Sequence, residues 1–342
     1  MSGITDKFRG DMDNTAGSIE IGILNYDGAQ AAAVLGMTDL LTAAAGIARK
    51  RHGVSRAFLR VSHWTRADGK RAPERVFTSD PSKGDDRPAV IVIPPGLGDP
   101  IAETEARHYA DWLRSEHSSG ASLCSICKGA FLLGETGLLA GRTVTTHWSY
   151  EERLVSRFPD INVNTDRLII DDGDILTAGG VMAWIDLSLM LIQRFLGPTI
   201  MVETARVFLV DPPGREQSYY SAFTPRLNHG DDAILKVQHW LQATGGKEMR
   251  LAVLAGHAGL EPRTFMRRFQ KATGHTAGEY AQRLRVNKAR DLLQFTRDPV
   301  DAIAWKVHYN DPGSFRKIFT RIIGLTPAEY RQRFTSTQRC GS

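Results

Sequence analysis

"EPRTFMRRFQKATGHTAGEYAQR" (261–283) is answered fifty residues later by "DPGSFRKIFTRIIGLTPAEYRQR" (311–333). Phe265, Phe269, Gly274, Thr276, Glu279, Tyr280, Gln282 and Arg283 return as Phe315, Phe319, Gly324, Thr326, Glu329, Tyr330, Gln332 and Arg333. So many identities at one spacing mean two copies of one supersecondary unit. In each copy an apolar helix, MRLAVLAGHAGL and then VDAIAWKVHYN, leads through a short turn into a second helix. Glu261-Pro262 and Asp311-Pro312 suit the cap and first turn of that second helix. Gly274 and Gly324 terminate it.

Phe265 and Phe269 stand four residues apart and so share the buried face. The opposite face then carries Arg263, Met266, Arg267 and Gln270. In the second copy the same face shows Gly313, Arg316, Lys317 and Thr320. An exposed basic face on the second helix of such a unit is what reading the DNA major groove requires. Arginine takes guanine edges in bidentate fashion, while lysine and helix N-termini engage phosphates. The segment 276–295 reads as a joining helix of twenty residues, about 30 Å long. One turn of B-DNA is about 34 Å, so both units could enter successive major grooves.

Charge agrees with this division. Residues 226–342 hold 20 Lys/Arg and 10 Asp/Glu, whereas residues 1–225 hold 23 and 28. Only the C-terminal third, at +10, is built to meet a polyanion. The 342 residues are too many for one typical core, so two domains are expected. The polar opening residues and the lack of an apolar run of about 18 residues predict neither a signal peptide nor a membrane span. Three cysteines, Cys124, Cys127 and Cys340, make no even disulfide framework, which favours a reducing cytoplasm.

Ahead of the repeat, short apolar runs alternate with helical stretches up to about residue 210. IEIGILNY (19–26), RAFLRVSHW (56–64), AVIVIPP (89–95) and ASLCSIC (121–127) read as strands. Residues 29–52, 103–117, 149–158 and 181–197 read as helices, and LIIDDGDILTAG (168–179) as a hairpin with an Asp-Gly turn. This is a flavodoxin-like α/β domain: a mostly parallel sheet with helices on both faces, followed by an all-α domain with two helix-turn-helix units. The Pro- and Gly-bearing stretch 210–232 is the linker. The expected division is a disordered tail 1–17, an α/β domain 18–210, a linker 211–230, a DNA-binding domain 231–335 and a tail 336–342.

"SICKGAF" (125–131) puts Cys127 at a strand-to-helix elbow, with His147 in "TVTTHW" (143–148) downstream. Such an arrangement can build a thiolate nucleophile. The alternatives are a redox-sensing thiol and a wall of a non-catalytic pocket. Cys124 and Cys127 form a CxxC, but the first lies inside the strand, which disfavours dithiol chemistry. No His/Cys/Asp cluster has metal-ligand spacing and no phosphate loop is present, so neither metal nor cofactor is expected. Open α/β sheets bind ligands at the carboxyl ends of their strands. There Gly96, Cys127, Lys128, His147, Trp148 and Trp184 are the candidate ligand-binding residues.

The repeat region, about 231–335, closely resembles the AraC/XylS family of transcription regulators. By that resemblance Arg263, Met266, Arg267, Arg316 and Lys317 face bases; the family usually has arginine where Lys317 stands. The strands, the "IPPGLG" loop, the elbow and "TVTTHW" resemble the PfpI-like, class I glutamine amidotransferase-like superfamily over about 18–205. The joined architecture looks like the GlxA subgroup. The resemblance implies a cytoplasmic, DNA-binding transcription regulator acting on a double-stranded operator, with RNA polymerase and a second copy of the chain as partners and an amine or amino-acid-like effector. The competing implication is a PfpI-like cysteine-dependent hydrolase with an appended DNA-binding domain. Such an enzyme needs an acid on the first helix, and "YDGAQAAAVLG" (26–36) puts Ala33 there. Pro95 replaces a customary loop glycine and removes an N–H donor. Trp184 stands where a small residue is usual. These departures favour a pocket over a catalyst.

Overall fold

The computed structural model describes residues 19–52, 59–67, 70, 72–81 and 87–335, so the expected tails lie outside the described residues. The chain divides into two compact units between Gln217 and Ser218, inside the expected linker.

The first unit is built on a seven-stranded sheet. Its strands are β1 (Ile19–Leu24), β2 (Leu59–Thr65), β3 (Glu74–Thr78), β4 (Val90–Ile93), β5 (Ser122–Ile126), β8 (Ile169–Asp171) and β9 (Ile175–Ala178), in the order β3-β2-β1-β4-β5-β9-β8. The five central strands are parallel; β3 and β8 cap the edges antiparallel. β6 (Thr143–Val144) and β7 (Asn162–Val163) form a separate pair.

The central strands are continuously apolar because both faces are covered. On one face Ile21, Ile23, Val90, Val92, Cys124 and Ile126 pack under α1 (Ala31–His52), α5 (Trp184–Leu196) and α6 (Pro198–Phe208). On the other, Leu24, Ile91, Ile93 and Leu123 meet α2 (Glu103–Ser118), α3 (Gly129–Gly134) and α4 (Glu151–Arg157). A buried charge network also sits in this core. Glu20 on β1 is 1% exposed and accepts from Arg60 Nε at 2.7 Å and Ser62 Oγ at 2.6 Å, with Arg75 Nε at 3.3 Å.

Several expectations need correction. β3 was not foreseen, because ERVFT is an exposed edge without an apolar run. "TVTTHW" forms a strand only at Thr143–Val144, and the helix expected over 149–158 is a 3₁₀ turn at Trp148–Tyr150 followed by α4. A run long and apolar enough to cross a membrane does exist: Ala31–Arg51, 21 residues of mean hydropathy 1.6. It is the core of α1, which buries Met37, Leu40, Leu41 and Ala44 against the sheet.

The second unit holds two small cores. α7 (Asp232–Ala243), α8 (Leu251–Ala258) and α9 (Pro262–Thr273) enclose Ile234, Val237, Leu254, Phe265 and Phe269. α11 (Val300–Lys306), α12 (Pro312–Ile323) and α13 (Pro327–Phe334) enclose Ile303, Phe315, Phe319 and Tyr330. The 19-residue α10 (Ala277–Phe295) enters both, giving Tyr280 and Ala281 to the first and Val286, Ala289 and Leu293 to the second.

The repeated residues have repeated jobs. Gly274 and Gly324 take left-handed φ values of 75° and 89° and stop the second helices. Thr276 and Thr326 then open the next helices with reciprocal capping boxes to Glu279 and Glu329. Tyr280 and Tyr330 meet Phe269 and Phe319 edge-on at 5.4 and 5.7 Å. Between the halves lies Arg285, 8% exposed. It donates to Gly246 O (2.8 and 2.6 Å), Lys247 O (3.1 Å) and His308 O (3.3 Å), and covers the Tyr309 ring.

Candidate functional sites

The elbow is made by backbone geometry. Cys127 has φ 54°, a left-handed conformation rare for a side-chain-bearing residue. Its N–H donates to Ala178 O on β9 at 2.7 Å, and its carbonyl accepts from Thr146 Oγ1 at 2.7 Å. Gly129 lets α3 start directly behind β4, because a Cβ there would stand 2.7 Å from Ile93 O. The cysteine therefore sits at the carboxyl end of the central strands, beside the loop after β4. That loop is fixed by Gln30 N donating to Pro95 O (2.7 Å), Leu97 N to Gly28 O (3.3 Å) and Tyr26 Oη to Pro94 O (2.9 Å).

Burial disfavours the thiolate at this position. Cys127 is 1% exposed, and burial pushes its pKa up; the backbone N–H groups of Lys128, Gly180 and His147 and the Lys128 charge oppose this without reversing it. The thiolate is the reactive form, so at neutral pH the group stands protonated. His147 is held below its ordinary pKa by burial and by the Lys128 charge, so it is neutral. Its Nδ1 accepts from Ser149 N at 3.2 Å and caps the 3₁₀ turn, and its ring stacks on Trp148 at 5.3 Å. Lys128 folds over the loop, donating to Leu97 O at 3.1 Å and to Gly98 O, with Nζ 5.2 Å from the Tyr150 ring centre. Ala33 is fully buried and supplies no carboxylate. Burial also pushes the Cys124 thiol up to about 12. Among the described residues no group of three His, Cys, Asp or Glu could hold a metal ion.

Gly96, Cys127 and Lys128 are buried around this elbow, with His147 and Trp148 partly exposed beside it. Trp184 is engaged differently. Its indole lies on Gly36 of α1, where a Cβ would meet Cη2 at 2.5 Å, and Nε1 is buried without a hydrogen-bond acceptor. Gly36 is one turn from Ala33, so the indole lies on the same stripe of α1 as Ala33. Tyr26, Thr146 and Gln217 also build the site. Gln217 carried no sequence signal, because it lies in a stretch that reads as linker.

Alkylation of Cys127 by iodoacetamide should be slow at pH 7.5 and still rising above pH 9, where an ordinary thiol levels off. The sign follows from a raised pKa, which keeps the thiol protonated until higher pH. Peptide mass mapping of the alkylated chain measures it; rapid labelling at pH 7 would contradict the electrostatics above.

In the second unit, Arg263, Met266, Arg267 and Gln270 on α9 are all exposed, as are Arg316 and Lys317 on α12. Phe265, Phe269, Phe315 and Phe319 beneath them are fully buried. Each of these two helices thus turns its aromatic stripe inward and its basic stripe to solvent. Asp311 caps α12, accepting from Gly313 N (3.1 Å) and Ser314 N (2.7 Å). Glu261 holds the same place on α9 without a side-chain cap. An open groove on α12 is lined by Arg316, Lys317, Thr320 and Arg321. Arg316 pairs with Asp301, and Arg321 donates to Gln282 Oε1 at 2.7 Å. Arg321 was missed from sequence, since at i+4 from Lys317 it extends the basic stripe where the first copy has Lys271.

Comparison with known proteins finds a family match in each unit. Residues 66–194 match the DJ-1/PfpI family and residues 254–333 match a helix-turn-helix domain family. The chain is 29% identical over 255 residues to the HTH-type transcriptional regulator GlxA of Rhizobium meliloti, covering 74% of this chain and 77% of that one. It is 25% identical over 279 residues to the HTH-type transcriptional regulator GbdR of Pseudomonas aeruginosa, covering 79% and 74%. Over 119 residues it is 38% identical to the isonitrile hydratase of Pseudomonas putida, covering 34% of this chain and 48% of the enzyme. The chain joins a domain of the DJ-1/PfpI family to a helix-turn-helix domain of the AraC type.

Proposed function

We propose that this chain is a cytoplasmic, sequence-specific DNA-binding transcription regulator, whose α/β unit senses a small molecule or mediates dimerisation. The observation that carries the reading is the pair of helices α9 and α12, each with a buried Phe-Phe stripe under an exposed basic face. Regulator relatives that span both units support it. Arg263, Met266, Arg267 and Gln270 read one major-groove segment and Arg316 and Lys317 the next. Gly96, Cys127, Lys128, His147 and Trp148 form the sensing wall, with Trp184 as the filler behind it. An operator duplex, RNA polymerase, a second copy of the chain and an amine or amino-acid-like effector are the partners this role calls for.

Hydrolysis through Cys127 is the second reading, favoured by the hydratase likeness of the front unit. It lacks a carboxylate at Ala33, a thiol poised to ionise and a histidine free of capping duty. Cys127→Ala should leave duplex binding unchanged in a gel shift, because this reading places the DNA contacts on α9 and α12.

Arg267→Ala should weaken binding to the preferred duplex by about 1–3 kcal/mol and relax one base preference. A gel-shift series against single-base variants of that duplex measures both effects. Unchanged affinity and unchanged preference would remove α9 from the groove.

A further inference from the structure

The stretch 211–230 reads as linker in the sequence, yet from Ser218 onward its residues are held inside the second unit. One end is fastened at the close of α12. Ser218, 7% exposed, donates from Oγ to Ile323 O at 2.8 Å. The Tyr219 ring lies on Gly324, where a Cβ would stand 2.6 Å from Cε1. Position 324 thus needs glycine twice, for its φ of 89° and for this ring. Arg290 of α10, 9% exposed, donates to Tyr220 O (3.2 Å), to Ser221 O and to Tyr330 Oη (3.0 Å). Tyr220 meets Phe334 of α13 edge-on at 5.5 Å.

The other end is fastened to the first half of the same unit. Phe223 meets the rings of Tyr280 and His275 edge-on at 5.2 and 5.8 Å. Gln238 of α7, fully buried, donates to Arg226 O at 2.8 Å and to Tyr280 Oη at 3.3 Å. His229 Nδ1 accepts from Asp231 N at 3.0 Å, so Nε2 carries the proton and donates to Gln238 Oε1 at 2.7 Å. Asp231 then caps α7 and accepts from Arg268 of α9 at 2.9 and 2.6 Å. The segment therefore runs from the end of α12 to the body of α9. On the way it packs on Tyr280 and shares Arg290 with Tyr330, the two tyrosines that the repeat places alike.

We infer that residues 218–231 are a brace that sets the distance and angle between α9 and α12. Each half of the unit has a small core of its own, and the 19-residue α10 is shared between them. A second connection, from α12 to α9, closes a ring of contacts around that shared helix. Neither α9 nor α12 can then turn without breaking buried hydrogen bonds, and each such group left unpaired is costly. On the DNA-binding reading above, on which this role rests, the brace fixes which spacing of two base-pair blocks the chain selects. Tyr219 and Phe223 are positioning residues: they act through Gly324, Tyr280 and His275, and neither lies on α9 or α12. The DNA-binding unit accordingly begins at Ser218 and not at residue 231.

Two measurements on the full chain test it. The first uses no DNA. Nitroxide labels at Lys271→Cys and Lys317→Cys, in a Cys340→Ser background with Cys124 and Cys127 buried, report the distance between α9 and α12. The parent should give one narrow distance distribution, and Phe223→Ala or Tyr219→Ala should broaden or split it. Each variant releases one end of the brace, so either suffices; an unchanged distribution overturns it. The second uses a duplex recovered by the unlabelled chain from a random-sequence library, with no, one or two base pairs inserted between its blocks. Each insertion turns the second block by about 35°. Both variants should lower the preference for the original spacing by about fivefold, the ratio for one aromatic pair, and leave affinity for a single-block duplex unchanged. A merely stabilising role would weaken all duplexes alike, and that result overturns the assignment. If the parent recovers no duplex, the DNA-binding reading fails and the labels alone decide the brace.

Discussion

Arg285→Leu should destabilise the DNA-binding unit by about 3–5 kcal/mol, since three buried carbonyls lose their donor at once and each costs about 1–3 kcal/mol unpaired. The guanidinium sits where the two halves meet, holding Gly246 O and Lys247 O of the first and His308 O of the second. Burial pulls its pKa down, yet it remains charged, satisfied by carbonyl dipoles and the Tyr309 ring rather than by a carboxylate. Arg285→Lys should recover little, because one ammonium cannot span that fork. Urea titration, read by exchange protection of peptides from 232–335, gives the number. A loss below 1 kcal/mol would mean that Arg285 does not hold the halves together.

The second large effect belongs to the other unit. Glu20→Ala should cost it about 3–5 kcal/mol, because Arg60, 2% exposed, loses the carboxylate that offsets its buried charge. The double variant Glu20→Ala with Arg60→Met should recover much of the loss, as removing both partners of a buried pair is far milder than removing one. Urea midpoints of the three variants, followed on peptides from the central strands, check the cycle. If the double variant is as unstable as the single, the network acts through packing and not charge.

Much of this was legible in the sequence, and the reasons are physical. The fifty-residue repeat exposed the paired helices α9 and α12 because capping boxes, left-handed glycines and phenylalanine stripes each demand one residue type at one offset. Continuous apolar strands exposed the parallel sheet for the same reason, since both faces of those strands must be buried. The antiparallel edge β3 stayed hidden, because its exposure pattern carries no period. Trp184 was legible as an odd residue but not as a lid on Gly36, which requires the packing of α5 on α1. Gln217 was invisible. Its role comes from four hydrogen bonds to residues 50 to 72 positions away, and no local pattern encodes such a slot.

If α9 and α12 both read DNA, as proposed, they make a geometric demand on the nucleic acid. Selection of duplexes by the full-length chain from a random-sequence library should enrich two short blocks whose centres lie about 10–10.5 base pairs apart. Arg267→Ala should degrade one block, and Lys317→Ala the other. Recovery of no sequence above the random background, or of a single block insensitive to both substitutions, would contradict the assignment of α9 and α12 as the DNA-reading helices.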